Sequence, residues 1–155
     1  MDANVRAYLD KNHAASMITL RKNGSPHAVR VGIDLHGDKI WSSGTQTRLR
    51  TRHLRRDPRS TLFVFDAQEA GGWRWLTLEC TVAILDGPDA AELNLGFFKA
   101  MQAAMTPAPP PGKLSWFGQP KTEKEFLQVM KDEQRLIYEF SIVRAYGMYG
   151  GMPTG

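Results

Sequence analysis

The sequence has a single cysteine, Cys80, so no internal disulfide can form, and a reducing, cytoplasmic setting is the natural expectation. No apolar run approaches the ~18–20 residues that cross a bilayer. The opening MDANVRAYLDKNH is amphipathic and has no apolar core of the kind a signal peptide needs. Neither GxGxxG nor a P-loop follows any apolar run, which argues against a Rossmann fold. The four histidines, His13, His27, His36 and His53, show no HExxH or other metal spacing. No GxSxG nucleophile elbow is present. Cys80 sits in phase with Leu78 and Val82 and reads as a small core residue rather than a nucleophile. With these chemistries absent no catalytic side chain stands out, and an enzyme built on this chain would take its chemistry from a bound cofactor.

What is present is ordinary for one folded domain: 155 residues, 42% of them hydrophobic and 23% charged. The net charge of +4 is unevenly spread. Between Arg48 and Arg59 lie six arginines and one acid, Asp57, a local excess of +5 that leaves −1 for the rest of the chain. One basic stretch on a nearly neutral body points to a polyanionic partner: nucleic acid, a phosphorylated cofactor or a carboxylate-rich ligand. The competing reading is a solvated arginine face.

The pattern along the chain is mostly β. Asp2 can cap a short helix to about Lys11. SMITLRK (residues 16–22) reads as a strand, Asn23-Gly24-Ser25-Pro26 as a turn, and residues 27–35 as a second strand in which Val29, Val31, Ile33 and Leu35 alternate with polar or small residues. His36-Gly37-Asp38 leads to a third strand over 39–43. Thr45-Gln46-Thr47 offers a helix start, and Asp57-Pro58 a stop. Strands over 61–66, 73–86 and 135–144 follow, with a loop at 69–72 and helices over 89–105 and 122–132. The stretch 106–120 holds five prolines and two glycines and reads as a loop, a lid or rim. Residues 146–155, with four glycines, read as a flexible tail. Six antiparallel strands with flanking helices argue for a small barrel, a mostly β, α+β fold.

The order strand, NGSP turn, strand, strand, then TRLRTRHLRRDPR, then an apolar strand resembles the pyridoxamine-phosphate-oxidase-like split β-barrel flavoproteins, of the FMN-binding split barrel type. Within them it is most similar to the actinobacterial branch that uses the deazaflavin coenzyme F420. The "LRRDPR" ending is the most specific piece, and the likeness runs from about Ser16 to Tyr146.

The resemblance implies a homodimer with the cofactor in a groove between two barrels. Arg48, Arg50, Thr51 and Arg52 would hold its phosphate. Arg30 and Val31 on strand two and Ser43 on strand three would border the ring system, and Trp73 would reach the cofactor of the other chain. The family often has lysine at the place of Arg50 and asparagine at that of His53. A reduced deazaflavin would then give a hydride to a small organic substrate. Arg48, Arg52 and Arg55 or Arg56 share one helical face, three or four residues apart, with Arg50 on another. Trp41, Trp73, Trp75, Trp116 and Phe117 are aromatics enough to line a flat pocket, although core packing accounts for Trp41 and Trp75. Two alternatives stand beside this reading: an FMN-binding oxidase-like protein, and a nucleic-acid module using the LRTRHLRR helix. The confinement of charge to one helix weighs against the second.

Overall fold

The structure, a computed structural model, describes residues 1–66 and 73–150; the expected loop at 69–72 and the last five residues of the expected tail lie outside them. In chain order the elements are α1 (Ala3–Leu9), β1 (Ala14–Leu20), β2 (Pro26–Gly32), β3 (Asp34–His36), β4 (Lys39–Thr45), α2 (Leu49–Arg56), β5 (Arg59–Phe65), β6 (Trp75–Leu85), α3 (Ala90–Gln102), β7 (Lys113–Trp116), β8 (Gln119–Thr122), α4 (Glu123–Asp132) and β9 (Arg135–Met148). Asp2 caps α1 as expected, its carboxylate accepting from the amides of Asn4 and Val5. None of the helices among the described residues is long and apolar enough to cross a membrane.

The main sheet is antiparallel, in the order β2-β1-β5-β6-β9-β4-β3. β2 and β3 lie at opposite ends of that order, yet Ile33 alone separates them in the chain. The sheet therefore curls until its two edges meet at this residue. The seam is stitched by Ile33 N donating to His13 O at 2.9 Å and Ser42 Oγ donating to Gly32 O at 2.7 Å. This is the split barrel the pattern implied, with one correction: the sheet has seven strands, not six, because the expected second strand breaks at Ile33 and changes partner from β1 to β4.

Alternation explains the interior. Met17 on β1, Leu62 and Val64 on β5, Leu76 and Leu78 on β6, and Leu136, Tyr138 and Phe140 on β9 all point inward and are fully buried. Their outward neighbours fall into two classes. Those of β4 and the first half of β9 are covered by α3, where Trp41, Phe97 and Ile137 pack together. Those of β1, β5 and β6 are only partly covered: Ile18, Phe63 and Trp75 are half-buried and Phe65, Thr81 and Ala83 exposed, while Leu85 joins the cluster under α3. α3, α4 and the β7–β8 hairpin form a second small core around Ala91, Leu114, Phe126 and Met130.

Two further expectations change. The proline-rich stretch is not loop throughout: its end forms the β7–β8 hairpin, turning at Phe117 and Gly118, both with positive φ (47° and 78°). The last strand does not stop at Arg144 but runs to Met148, after a register shift opposite Glu79 and Cys80 that leaves Val143 as an extra residue.

Gly44 on β4 has a steric reason. A Cβ there would collide with the Tyr138 ring, which lies across the strand. Gly44→Ala is therefore expected to displace that ring and cost about 1–3 kcal/mol, as overpacked cores do. Urea denaturation of the two proteins measures it.

Candidate functional site

α2 crosses one end of the barrel directly after β4. It has no side-chain cap, and the residue that opens it, Arg48, has extended backbone (φ −64°, ψ 143°). What fixes the helix is Thr51. This fully buried residue donates its hydroxyl hydrogen to Thr45 O at 2.6 Å. The Tyr138 hydroxyl, in contact with the same oxygen, is then left to donate to it. Leu54 completes the buried face in the barrel core.

The six arginines of the basic stretch divide cleanly. Arg55 pairs with Asp86 at 2.9 Å, Arg59 with Asp57 at 2.7 Å, and Arg56 donates to the Leu20 carbonyl. Arg59 and its amide hold the Asp57 carboxyl down to about 2. Arg48, Arg50 and Arg52 form no ion pair with a described residue, so their charge is available to a ligand.

Arg50 is half-buried. Its guanidinium stands over the Tyr138 ring, 5.6 Å from the centroid. Burial lowers its proton affinity, and the nearby cations Arg48 and Arg135 add to the effect while Tyr138 opposes it. Arg50 Nε is buried with no partner among the described residues. An unpartnered buried guanidinium nitrogen fits a phosphate oxygen, a charged acceptor of matching geometry.

Of the face expected from helical spacing, Arg52 and Arg56 lie together, with Arg21, around His53. Arg48 precedes the helix in extended backbone and is a neighbouring cation of Arg50. His53 is buried, shares a hydrogen bond with Thr19 Oγ1 at 2.9 Å, and meets the His27 ring edge-on at 5.3 Å. Desolvation holds it neutral, helped by His27 and the three arginines.

The other expected residues scatter. The Thr51 hydroxyl is consumed by Thr45 and Tyr138, so it holds the helix rather than facing a ligand. Val31 is buried in the barrel core. Ser43 donates its hydroxyl to Asn94 Oδ1 on α3. Arg30 is exposed and lines a cleft of about 500 Å³ with Lys11, His13, Ser16, Phe65 and Asp66. Trp73 is 75% exposed. Of the remaining aromatics, Trp41 is core, stacked on His36 at 3.6 Å and donating to Glu139 at 2.8 Å. Trp75 sits half-buried on the outer sheet face against Phe63 and Tyr146. Burial pushes the Cys80 thiol up to about 12, far from the thiolate range a nucleophile needs. Among the described residues, no three His, Cys, Asp or Glu are grouped to hold a metal ion.

Sequence reasoning missed Tyr138 and Arg135. Both lie on β9 opposite β4, with Thr45 paired to Arg135 and Ser42 to Tyr138. No local signal announces a pairing across some ninety positions.

Comparison with known proteins bears on this arrangement. The family model for pyridoxamine 5'-phosphate oxidase matches residues 1–117. A conserved hypothetical protein of Mycobacterium tuberculosis superposes with a TM-score of 0.71 at 16% identity, covering 100% of this chain and 92% of its own. An F420 reductase gives 0.62 at 16% identity, covering 90% and 94%. A FAD-binding protein from Mesorhizobium loti gives 0.65 at 13%, covering 95% and 94%.

His53 carries a pH dependence of stability. Its folded pKa lies below the unfolded value of about 6.5, so the unfolded chain takes up the proton first. The stabilisation is complete above about pH 6.5 and is lost as pH falls below it. Hydrogen bonds also lower the carboxyl groups of Asp57, Asp86 and Glu125 from their ordinary values, away from this pH window. Stability from chemical denaturation should drop between pH 7.5 and 5.5, and His53→Gln should flatten that drop.

Proposed function

The chain belongs to the pyridoxamine 5'-phosphate oxidase family, and from that premise we propose that it binds the deazaflavin coenzyme F420 and serves as a reductase of a small organic substrate. The observation that carries this is the division of the arginines: the three without ion-pair partners among the described residues, Arg48, Arg50 and Arg52, are those on which the resemblance puts the cofactor phosphate. The arginine supply exceeds the needs of FMN, which brings one phosphate, and suits a cofactor that adds a carboxylate-rich tail. When bound, reduced deazaflavin supplies a hydride, and no protein nucleophile is required. The chain's own part is to bind and orient. Arg48 and Arg50 grip the phosphate at the opening of α2, and Thr51 and Tyr138 keep that helix still. The exposed Arg30 cleft is large enough for a small molecule.

A second copy of the chain completes the site in this reading. The outer face of β5, β6 and the end of β9 carries a run of aromatics, Phe65 to Phe63 to Trp75 to Tyr146, at centroid spacings of 5.9, 6.0 and 6.2 Å. Phe65 is 55% exposed and Val143 71%. Apolar surface of this kind on a small protein marks an interface. Trp73, beside it, would then reach the neighbouring chain's ligand.

FMN binding is the second reading, supported by the same family membership. Titration followed by tryptophan fluorescence separates the two. F420 should bind more tightly than FMN, and Arg50→Ala should weaken it by about 1.5–3 kcal/mol, the scale of a hydrogen bond to a charged group. Protein that purifies yellow with stoichiometric FMN would replace the first reading with the second. Loss of DNA or RNA affinity in Arg50→Ala, with cofactor binding intact, would favour the nucleic-acid module.

Assembly is tested separately. Light scattering at micromolar concentration should give twice the 17.4 kDa chain mass. Phe65→Glu should yield folded monomer with weakened cofactor binding. A wild-type monomer that binds cofactor at full strength would remove the shared groove.

A further inference from the structure

Arg135, the first residue of β9, is not in the basic stretch, and nothing in the fold calls for a charge there. Its side chain is only 9% exposed. One face of its guanidinium lies on the Trp116 ring, 4.8 Å from the centroid. Its carboxylate contact among the described residues is long, Nη2 to Glu133 Oε1 at 3.4 Å, and its Nε is buried without a partner among them. A leucine or methionine would pack against Trp116 without these costs. Removing a charge from water is expensive unless it is paired and hydrogen-bonded.

The position explains the expense. Arg135 is paired with Thr45, the last residue of β4, and the Gln46 amide donates to the Gln134 carbonyl at 3.2 Å. Arg135 is thereby held at the strand-to-helix connection that leads into Arg48. Arg50, whose Nε is also buried and unpartnered, feels both Arg48 and Arg135 as neighbouring cations. Three guanidinium groups thus converge from two distant segments, with Glu133 as the carboxylate paired to one of them.

We propose that Arg135 is a ligand-binding residue that completes, with Arg48 and Arg50, a three-arginine pocket for a phosphate group. The inference rests on the reading of the α2 opening as a phosphate site and adds an arm from the opposite strand. Trp116, on the β7–β8 hairpin, fixes the plane of the Arg135 fork, so the donors are set before the anion arrives. A stacked guanidinium offers its edge to two phosphate oxygens while its face stays on the ring. The same geometry requires that the anion relieve the mutual repulsion of the three cations. The pocket is therefore a place where ligand and stability are coupled.

Inorganic phosphate is the probe, used on the full chain at constant ionic strength with chloride as control. Phosphate should raise the melting temperature saturably, and chloride should not. Arg135→Gln should raise the phosphate Kd about tenfold. It should also raise the melting temperature measured without phosphate, an outcome that a merely structural arginine would reverse. Arg135→Lys, which keeps the charge but not the fork, should retain the fold and lose most of the affinity. It serves as the second test if Arg135→Gln does not fold. An unchanged phosphate Kd in both variants would overturn the proposal. The outcome is independent of the cofactor: a protein that holds phosphate through Arg135 but takes neither F420 nor FMN would sink the proposed function and leave this site standing.

Discussion

The structure depends on one closure. Ile33 is the single residue between two strands that sit at opposite edges of the sheet, and the hydrogen bond its amide donates to the His13 carbonyl fixes the point where those edges meet. Once the sheet is bent that far, every alternate residue of β1, β5, β6 and β9 is committed to a shared interior. The end of β4 is also brought to the barrel mouth, so the chain that leaves it must cross that mouth. α2 is placed by this geometry rather than by its own propensity, which is poor: an eight-residue helix with no cap and four cations has little to hold it in isolation.

That placement has an electrostatic consequence. Thr51 and Tyr138 supply the short, buried contacts that tie α2 down, and the arginines around them are left to repel one another. The protein resolves part of the strain by pairing Arg55 with Asp86 and Arg59 with Asp57, and by laying Arg56 on a carbonyl. It leaves Arg50 with both Arg48 and Arg135 as neighbouring cations. Three residues on from Arg50, the buried His53 meets the same problem by staying neutral. One short helix thus carries both a site where charge is suppressed and one where charge is concentrated.

Much of this was legible in the chain, and the failures share a cause. The NGSP turn, the Asp2 cap, the Asp57-Pro58 stop and the alternation through Leu62–Phe65 each report a local preference, and each appears where expected. The break at Ile33 was invisible because alternation survives it: Val29, Val31, Ile33 and Leu35 all still pack on the core, whichever strand lies alongside. Periodicity reports which way a residue faces, not which neighbour it has. The β7–β8 turn was masked by Phe117, which occupies a positive-φ position where asparagine or glycine would have announced a hairpin. Of the site, the charged helix could be read directly. The residues that organise it, Tyr138 and Arg135, could not, since only the folded sheet brings β9 beside β4.

The long β9 strand has a consequence for how the protein is made. It pairs with β6 on one side and β4 on the other, so without it the sheet is two pieces, β2-β1-β5-β6 and β4-β3. Synthesis proceeds from the N-terminus, so of these elements β9 is the last to leave the ribosome. Until it does, the inward faces of Leu76, Leu78 and Ile40 have no cover from that side and Gly44 has no ring to fit beneath. The nascent chain must hold an open sheet with bare edges through the translation of α3, the hairpin and α4, which makes this interval the one in which chaperones matter most.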